Sequence, residues 1–343
     1  MIRIADLKIP LDYDSKMLEG IVAERLQIEC SRIENVKIIK RSVNSRNKSD
    51  IYFDMTIVAG ILGDESEVVS HIRDKNINQE IELNYIVPKN KKLLERPVVV
   101  GFGPAGMFAA LILAQAGARP IVFERGADVD SRRQSVDKFW KTGALDINSN
   151  VQFGEGGAGT FSDGKLKIGA IDVCKAKILS EFVEAGAPPE IMYLDKPHIG
   201  TDRLHETVKT LREKIIGLGG EVHFNTKLTE ILRKDGRVTG VGYWENGLYS
   251  ELSTDNVVLA IGHSARDTFE QLLNSGIFME QKPFAVGVRI EHPQDLINKI
   301  EYGKFAGHPA LGAADYRMVV HLPNGRNVYT LHVPGGNRCR SNV

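Results

Sequence analysis

The feature that most restricts this chain lies at residues 96–124. The run Arg96-Pro-Val-Val-Val-Gly-Phe-Gly-Pro-Ala-Gly-Met107 sets three β-branched residues ahead of Gly101, Gly103 and Gly106, in G-x-G-x-x-G spacing. Val98, Val99 and Val100 make a short apolar run suited to a buried parallel strand. Each glycine has its own reason. Gly101 permits a tight turn, Gly103 lets the backbone approach a diphosphate, and Gly106 lets the next helix pack close to the strand. That helix turns its unpaired N–H groups and positive dipole end toward the phosphates. It runs to Gly117, and Pro120-Ile-Val-Phe-Glu124 makes a second strand. Glu124 ends that strand, where a carboxylate can accept hydrogen bonds from the 2′- and 3′-hydroxyls of an adenosine ribose. The same charge repels a 2′-phosphate and disfavours NADP at this position. Strand, turn, helix, strand and acid together point to a dinucleotide, either NAD or FAD.

Two further features bear on that choice. A Glu-Arg pair after the second strand, here Glu124-Arg125-Gly126, is typical of flavoproteins. Val257-Val-Leu-Ala-Ile-Gly262 is an apolar strand ending in glycine, which many flavoproteins return to the dinucleotide and a plain NAD dehydrogenase does not need; a simple strand-end turn is the other account of Gly262. Residues 151–166, Val-Gln-Phe-Gly-Glu-Gly-Gly-Ala-Gly-Thr-Phe-Ser-Asp-Gly-Lys-Leu, hold five glycines. That density implies backbone close to a ligand or at positive φ. Gly159 to Lys165 nearly matches a phosphate-binding P-loop but has Leu166 where a magnesium-holding hydroxyl belongs. A loop packed on the flavin or its phosphates fits better. Lys165 would then stabilise negative charge on a reduced flavin or phosphate, or be an exposed structural lysine.

With 343 residues the chain holds two or three domains. Residues 1–92 predict a small α/β domain: strands over 2–9, 36–43, 51–61 and 80–87, a helix capped by Ser15 and running to about Glu29, and a short helix over 65–71. The order βαββαβ suggests a ferredoxin-like layout. Residues 93–282 form the dinucleotide domain. Within it 126–170 read as loop, helices as 175–185 and from Thr201 or Asp202 to about Gly217, and strands at 221–225, 237–243 and 249–252 as a meander with Asp235-Gly236 and Asn246-Gly247 turns. Strand 257–261 reads as buried and parallel. Residues 283–343 begin another domain.

Composition excludes several classes. Lys plus Arg and Asp plus Glu are 44 each, so no net field draws nucleic acid or acidic membrane. Three separated cysteines give neither a disulfide framework nor a C-x-x-C pair. The N-terminus is charged where a signal peptide is apolar, and the apolar stretch Ala105–Ala116 is too short to span a bilayer. These features predict a cytoplasmic protein. The nine histidines show no zinc spacing, so no metal is expected. His198 and His263 are candidates for proton transfer, and Asp163 and Arg266 stand beside them on equal terms; single polar residues of this kind are more often structural. Lys37, Lys40, Arg41, Arg46 and Lys48 charge the first hairpin, a solvated face before it is an RNA or partner surface.

Together these segments resemble the bacterial FAD-dependent, or NAD(FAD)-utilizing, dehydrogenases. The matching run is Arg96 to about Gly303, most specifically Ser149–Leu166, His198-Ile-Gly-Thr-Asp202, Gly262-His-Ser-Ala-Arg-Asp267 and Lys282-Pro-Phe-Ala-Val-Gly-Val-Arg-Ile-Glu-His-Pro293. The resemblance implies a Rossmann-type FAD-binding domain with parallel sheet and β-meander, preceded by the small α/β domain and followed by an incomplete substrate-side domain. It places Gly101, Gly103, Pro104, Ala105, Gly106, Glu124 and Arg125 at FAD positions and Gly156 and Gly157 in the flavin-proximal loop. Leu228 falls where backbone holds adenine, and Gly262 at the last strand turn. It supplies no substrate. Related chains continue beyond Val333-Pro-Gly-Gly336, so the sequence reads as truncated. The expected function is FAD-dependent oxidoreduction of a small molecule, with NAD(P)H a possible donor. A non-catalytic FAD-binding module and an NAD-only dehydrogenase stay open beside it.

Overall fold

The computed structural model describes residues 1–81, 84–89, 93–161, 166, 168, 172–284, 286–288 and 290–331. Its contacts divide the chain into two units. One comprises the described residues of 1–83, 190–197 and 286–337; the other takes those of 84–189 and 198–285.

In the first unit, β1 (Ile2–Ile9), α1 (Ser15–Leu26), β2 (Ile33–Asn44), β3 (Tyr52–Ile61), α2 (Glu65–His71) and β4 (Ile77–Gln79) follow one another. The sheet order is β2-β3-β1-β4, with every neighbouring pair antiparallel. Ile2 and Ile4 share a face by period two, but Leu7 and Ile9 are out of phase with them. An irregularity in the β1–β3 register between Ile4 and Leu7, with Asp6 at φ 53°, restores the phase. All four then face Ala59, Ile57, Met55 and Phe53 of β3. Leu18, Val22 and Leu26 of α1 join this core, and so do Ile297, Tyr302, Leu311 and Ala314. The last four come from the helix Gln294–Tyr302 and the segment after it, so residues far apart in sequence complete one core. Arg317–His321 and Asn327–Leu331 form an antiparallel hairpin.

Two sequence expectations change here. The α1 cap is Asp14, whose side chain accepts from the Met17 N–H, not Ser15. The last strand is Ile77–Gln79 rather than 80–87, because Ile77 supplies the buried side chain while Ile81 and Ile86 are exposed; 82 and 83 lie outside the described residues.

The second unit contains β5 (Val98–Val100), α3 (Pro104–Gln115), β6 (Ile121–Phe123), α4 (Val129–Thr142), α5 (Asp172–Glu184), α6 (Thr201–Gly217), β7 (Glu221–His223), β8 (Thr226–Lys234), β9 (Arg237–Glu245), β10 (Leu248–Ser253), β11 (Val257–Leu259) and α7 (Arg266–Asn274). Strands β11-β5-β6-β7 form a parallel sheet, and β10-β9-β8 an antiparallel meander. The fold is thus mixed α/β with a parallel sheet. Asp235-Gly236 and Asn246-Gly247 have positive φ at both positions, as tight hairpins require.

Residues 126–170 were expected as loop but contain α4. Its buried face is only Val129, Arg132 and Val136, too thin an apolar stripe to show as periodicity, and the Asp128 cap holds the N–H groups of Asp130 and Ser131. The expected meander strand 221–225 is instead the parallel strand β7; Asn225, at φ 52°, turns the chain into β8, which starts the meander. β11 stops at Leu259 and, as an edge strand, leaves Val258 and Leu259 over a third exposed. Among the described residues no helix is long and apolar enough to cross a membrane, and no cluster of three His, Cys, Asp or Glu is placed to hold a metal.

Candidate functional site

The three motif glycines answer to different constraints. Gly101 has φ +95°, and a Cβ there would lie 2.4 Å from the Ala260 carbonyl oxygen. A Cβ on Gly106 would lie 1.9 Å from the Gly101 oxygen. Both are therefore fixed by the protein's own packing of turn, helix and neighbouring strand. Gly103 is not. Its φ is −75°, open to any residue, and the nearest atom to an added Cβ is Gly157 Cα at 3.6 Å. A side chain at 103 would simply fill the space over the N-terminus of α3. That helix starts with Pro104, which has no N–H, so Ala105 and Gly106 carry the first unpaired amides.

This turn borders a cavity of about 680 Å³, inside the range of about 300–1,000 Å³ usual for cofactor sites. Gly101, Gly103, Pro104, Ala105 and Glu124 line one side. Gln152–Gly154 and Gly157–Gly159 of the glycine-rich loop form another, and Leu259–Ser264, at and beyond the end of β11, a third. Phe269, Leu272, Ile277 and Met279 make an apolar wall that the motif reading missed.

Glu124 is 4% exposed and heavily engaged. Its Oε2 accepts from the Phe102 N–H at 2.7 Å, and its Oε1 from Gly126 at 2.8 Å and Gly154 at 3.0 Å. One carboxylate thus ties the glycine turn, the end of β6 and the glycine-rich loop together. Two carboxylate oxygens offer about four lone-pair sites, so Oε2 retains capacity for a ribose hydroxyl. Across the cavity Ser264 Oγ donates to Gln152 Oε1 at 3.0 Å and lies 3.4 Å from His263 Nε2.

The structure brings only some of the sequence candidates together. Gly101, Gly103, Pro104, Ala105, Glu124, Gly157 and Gly262 line the cavity, as does His263. Gly106 and Gly156 stand behind it, and Gly156 donates to the Phe102 carbonyl at 2.8 Å. Arg125 makes a bidentate pair with Asp267 at 3.0 Å, donates to Asn148 and covers the Phe153 ring at 4.3 Å. Lys227 also reaches Asp267 at 2.7 Å. Burial opposes the Asp267 charge, but Arg125 and Lys227 outweigh it and hold its carboxyl well below the usual range. Arg125 thus supports a lining residue, Phe153. Leu228 is 3% exposed in the core between meander and parallel sheet, paired with Tyr243. His198 and Arg266 are exposed and line no part of the cavity. Lys165 and Asp163 lie outside the described residues.

Behind the loop sits a buried polar layer. Arg132 has no exposed surface, and burial lowers its pKa to about 10 despite Glu124 and Glu155 nearby. Glu155, also fully buried, accepts from the Val129 N–H at 2.8 Å and from Arg212 at 2.9 Å; burial nonetheless raises its pKa. Sequence reasoning passed over both, since neither stands in a motif.

Comparison with known proteins gives five findings. An uncharacterized protein of Clostridium beijerinckii is 47% identical over 339 residues, covering 98% of this chain; the chain spans 63% of that relative's length. Among solved structures, THI4 of Thermovibrio ammonificans aligns over 53% of this chain and 62% of its own at 18% identity and TM-score 0.36. The glycerol-3-phosphate dehydrogenase of Bacillus halodurans, complexed with FAD, aligns over 53% and 37% at 15% identity and TM-score 0.31. Likenesses at such scores carry no functional weight. Residues 1–59 match a domain of unknown function, and residues 283–341 match the family described as "FAD-dependent protein, C-terminal domain-like".

Proposed function

We propose that the cavity holds FAD and that the protein is a flavin-dependent oxidoreductase acting on a small molecule. Gly103 carries this reading: it is the one motif glycine that the chain's own sterics do not demand, and it lines the cavity beside two amides that need an acceptor. A diphosphate would lie over Gly103 and take the N–H groups of Ala105 and Gly106, helped by the positive end of α3. Oε2 of Glu124 would accept from the adenosine ribose. The glycine-rich loop, through Gly157 to Gly159, would lie along the cofactor, with Lys165 a candidate partner for its negative charge. The family match at 283–341 supports FAD over NAD alone.

Bound flavin supplies hydride and electron transfer; the protein binds it, orients it and excludes competing reactions. The apolar wall of Phe269, Leu272, Ile277 and Met279 keeps water from part of the cavity. Gln152, Ser264 and His263 offer the polar side chains there besides Glu124. We read the first unit as ferredoxin-like, from its strand order. NADH or NADPH is the proposed electron donor.

The test is to denature purified protein, identify what it releases, and mix the holoprotein anaerobically with NADH and NADPH. The proposal expects FAD and bleaching of its absorbance. FAD without bleaching by either donor favours the non-catalytic module; a released or titratable nicotinamide with no flavin favours the NAD-only dehydrogenase.

A further inference from the structure

The glycine-rich loop has several backbone carbonyls turned inward, and a single side chain meets four of them. Arg132, in the first half of α4, donates from Nε to Asn150 O at 2.8 Å and from Nη1 to Glu155 O at 2.6 Å. Its Nη2 donates to Val151 O at 3.0 Å and to Gly157 O at 2.8 Å. It is fully buried and absent from the cavity lining. The loop is shaped to admit it: a Cβ on Gly154 would lie 2.4 Å from Arg132 Cδ. The last of the four bonds has the largest consequence. Gly157 lies directly against the glycine turn, so closely that a Cβ on it would come within 2.9 Å of Gly103 Cα.

We infer that Arg132 is a positioning residue that holds Gly157 against Gly103 and so sets the width of the slot between the glycine turn and the glycine-rich loop. It acts on the cofactor through the loop alone. A guanidinium suits this task because its five donors lie in one rigid plane; an ammonium offers three donors from one point and cannot span four separated carbonyls. A lysine at 132 keeps the charge and loses the clamp. Removing the donors leaves inward carbonyls unpaired, which the loop can relieve only by turning them toward water. Gly157 would then leave Gly103 and widen the slot.

The inference rests on the flavin reading only for its affinity readout, and the experiment separates the two. Arg132→Lys and Arg132→Ala are compared with the intact chain in amide hydrogen exchange over residues 150–157 and in FAD affinity by flavin fluorescence. The loop amides report directly, since those of Glu155, Gly156 and Gly157 are hydrogen-bonded to Ala127, Phe102 and Gly154. In Arg132→Lys, protection over 150–157 should fall by about tenfold or more while β5 and α3 keep theirs, and FAD should bind at least about 30-fold more weakly. Ethylguanidinium should restore much of the affinity of Arg132→Ala and little of that of Arg132→Lys, whose ammonium occupies the space. FAD affinity within threefold of the intact chain in folded Arg132→Lys would overturn the inference. So would an equal loss of protection in β5 and α3, which would mean general loosening. Should Arg132→Ala fail to fold, Arg132→Lys decides. Should the intact chain bind no FAD, the flavin reading falls, and unchanged loop exchange in Arg132→Lys would still overturn the clamp.

Discussion

Gly103 and Gly106 stand three residues apart in one motif, yet their substitutions should separate binding from stability. An alanine Cβ at 106 meets a backbone oxygen at 1.9 Å, which cannot yield as a side chain would. Gly106→Ala should therefore cost about 3 kcal/mol or more, at the upper end of overpacking effects, read from urea denaturation. Gly103→Ala meets nothing closer than 3.6 Å at an ordinary φ. Its stability should stay within about 1 kcal/mol of the parent, while FAD affinity drops at least about tenfold. Equal effects of the two on stability would contradict this division. Glu124→Gln should destabilise by about 1–3 kcal/mol, because an amide nitrogen replaces one acceptor that backbone N–H groups now use. At this scale the sequence was legible where a turn needs a missing side chain or a strand ends on an acid. It was silent on Arg132 and Glu155, whose roles come from carbonyls and amides brought in by a loop. The partner that the structure gives Arg125, Asp267, lies far along the chain, where spacing cannot announce it.

Among the elements, α4 and α6 brace the glycine-rich loop from behind. Arg212 of α6 meets the fully buried Glu155 at 2.9 Å. Arg212→Met strands that carboxylate and should cost about 3–5 kcal/mol, measurable by denaturation at pH 7. α6 also carries His205, whose ring packs on Phe161. Burial, then the nearby Arg133, lowers its pKa from the ordinary 6.5. As pH falls, the unfolded chain takes up this proton before the folded one does, so the neutral ring's contribution is full above about pH 6.5 and is lost below it. His205→Phe should flatten the slope of stability between about pH 7.5 and 5.5; an unchanged slope in urea midpoints would refute the assignment. Legibility of the elements followed the strength of their local signal. α2 matches its expected bounds because its Asp64 cap is local, and β1 because its apolar pairs, Ile2 with Ile4 and Leu7 with Ile9, each alternate on their own side of the break. α4 escaped because its buried face is narrow and includes an arginine. β7 was joined to the wrong sheet because a short strand does not declare whether its neighbour is parallel.

For the whole molecule, the assembly of its cores was the least legible feature. Residues 283–343 were read only as the start of another domain, and nothing local in them announces that Ile297 and Tyr302 complete the core built on β1 and β3. The parallel sheet and its glycine turn were foreseeable, since strand, turn, helix and acid agree at every level. Binding energy should appear as stability here: FAD at 100 times its Kd should add about 2.7 kcal/mol. The most direct measurement is a binding titration of FAD, FMN and NAD⁺ to apoprotein and to its Gly103→Val variant. If the glycine turn and Glu124 grip the diphosphate and adenosine ribose, FAD binds tightly, FMN, which lacks the adenosine half, binds weakly, and valine at 103 abolishes the difference. FMN binding as tightly as FAD, or FAD binding indifferent to valine at 103, would contradict the account.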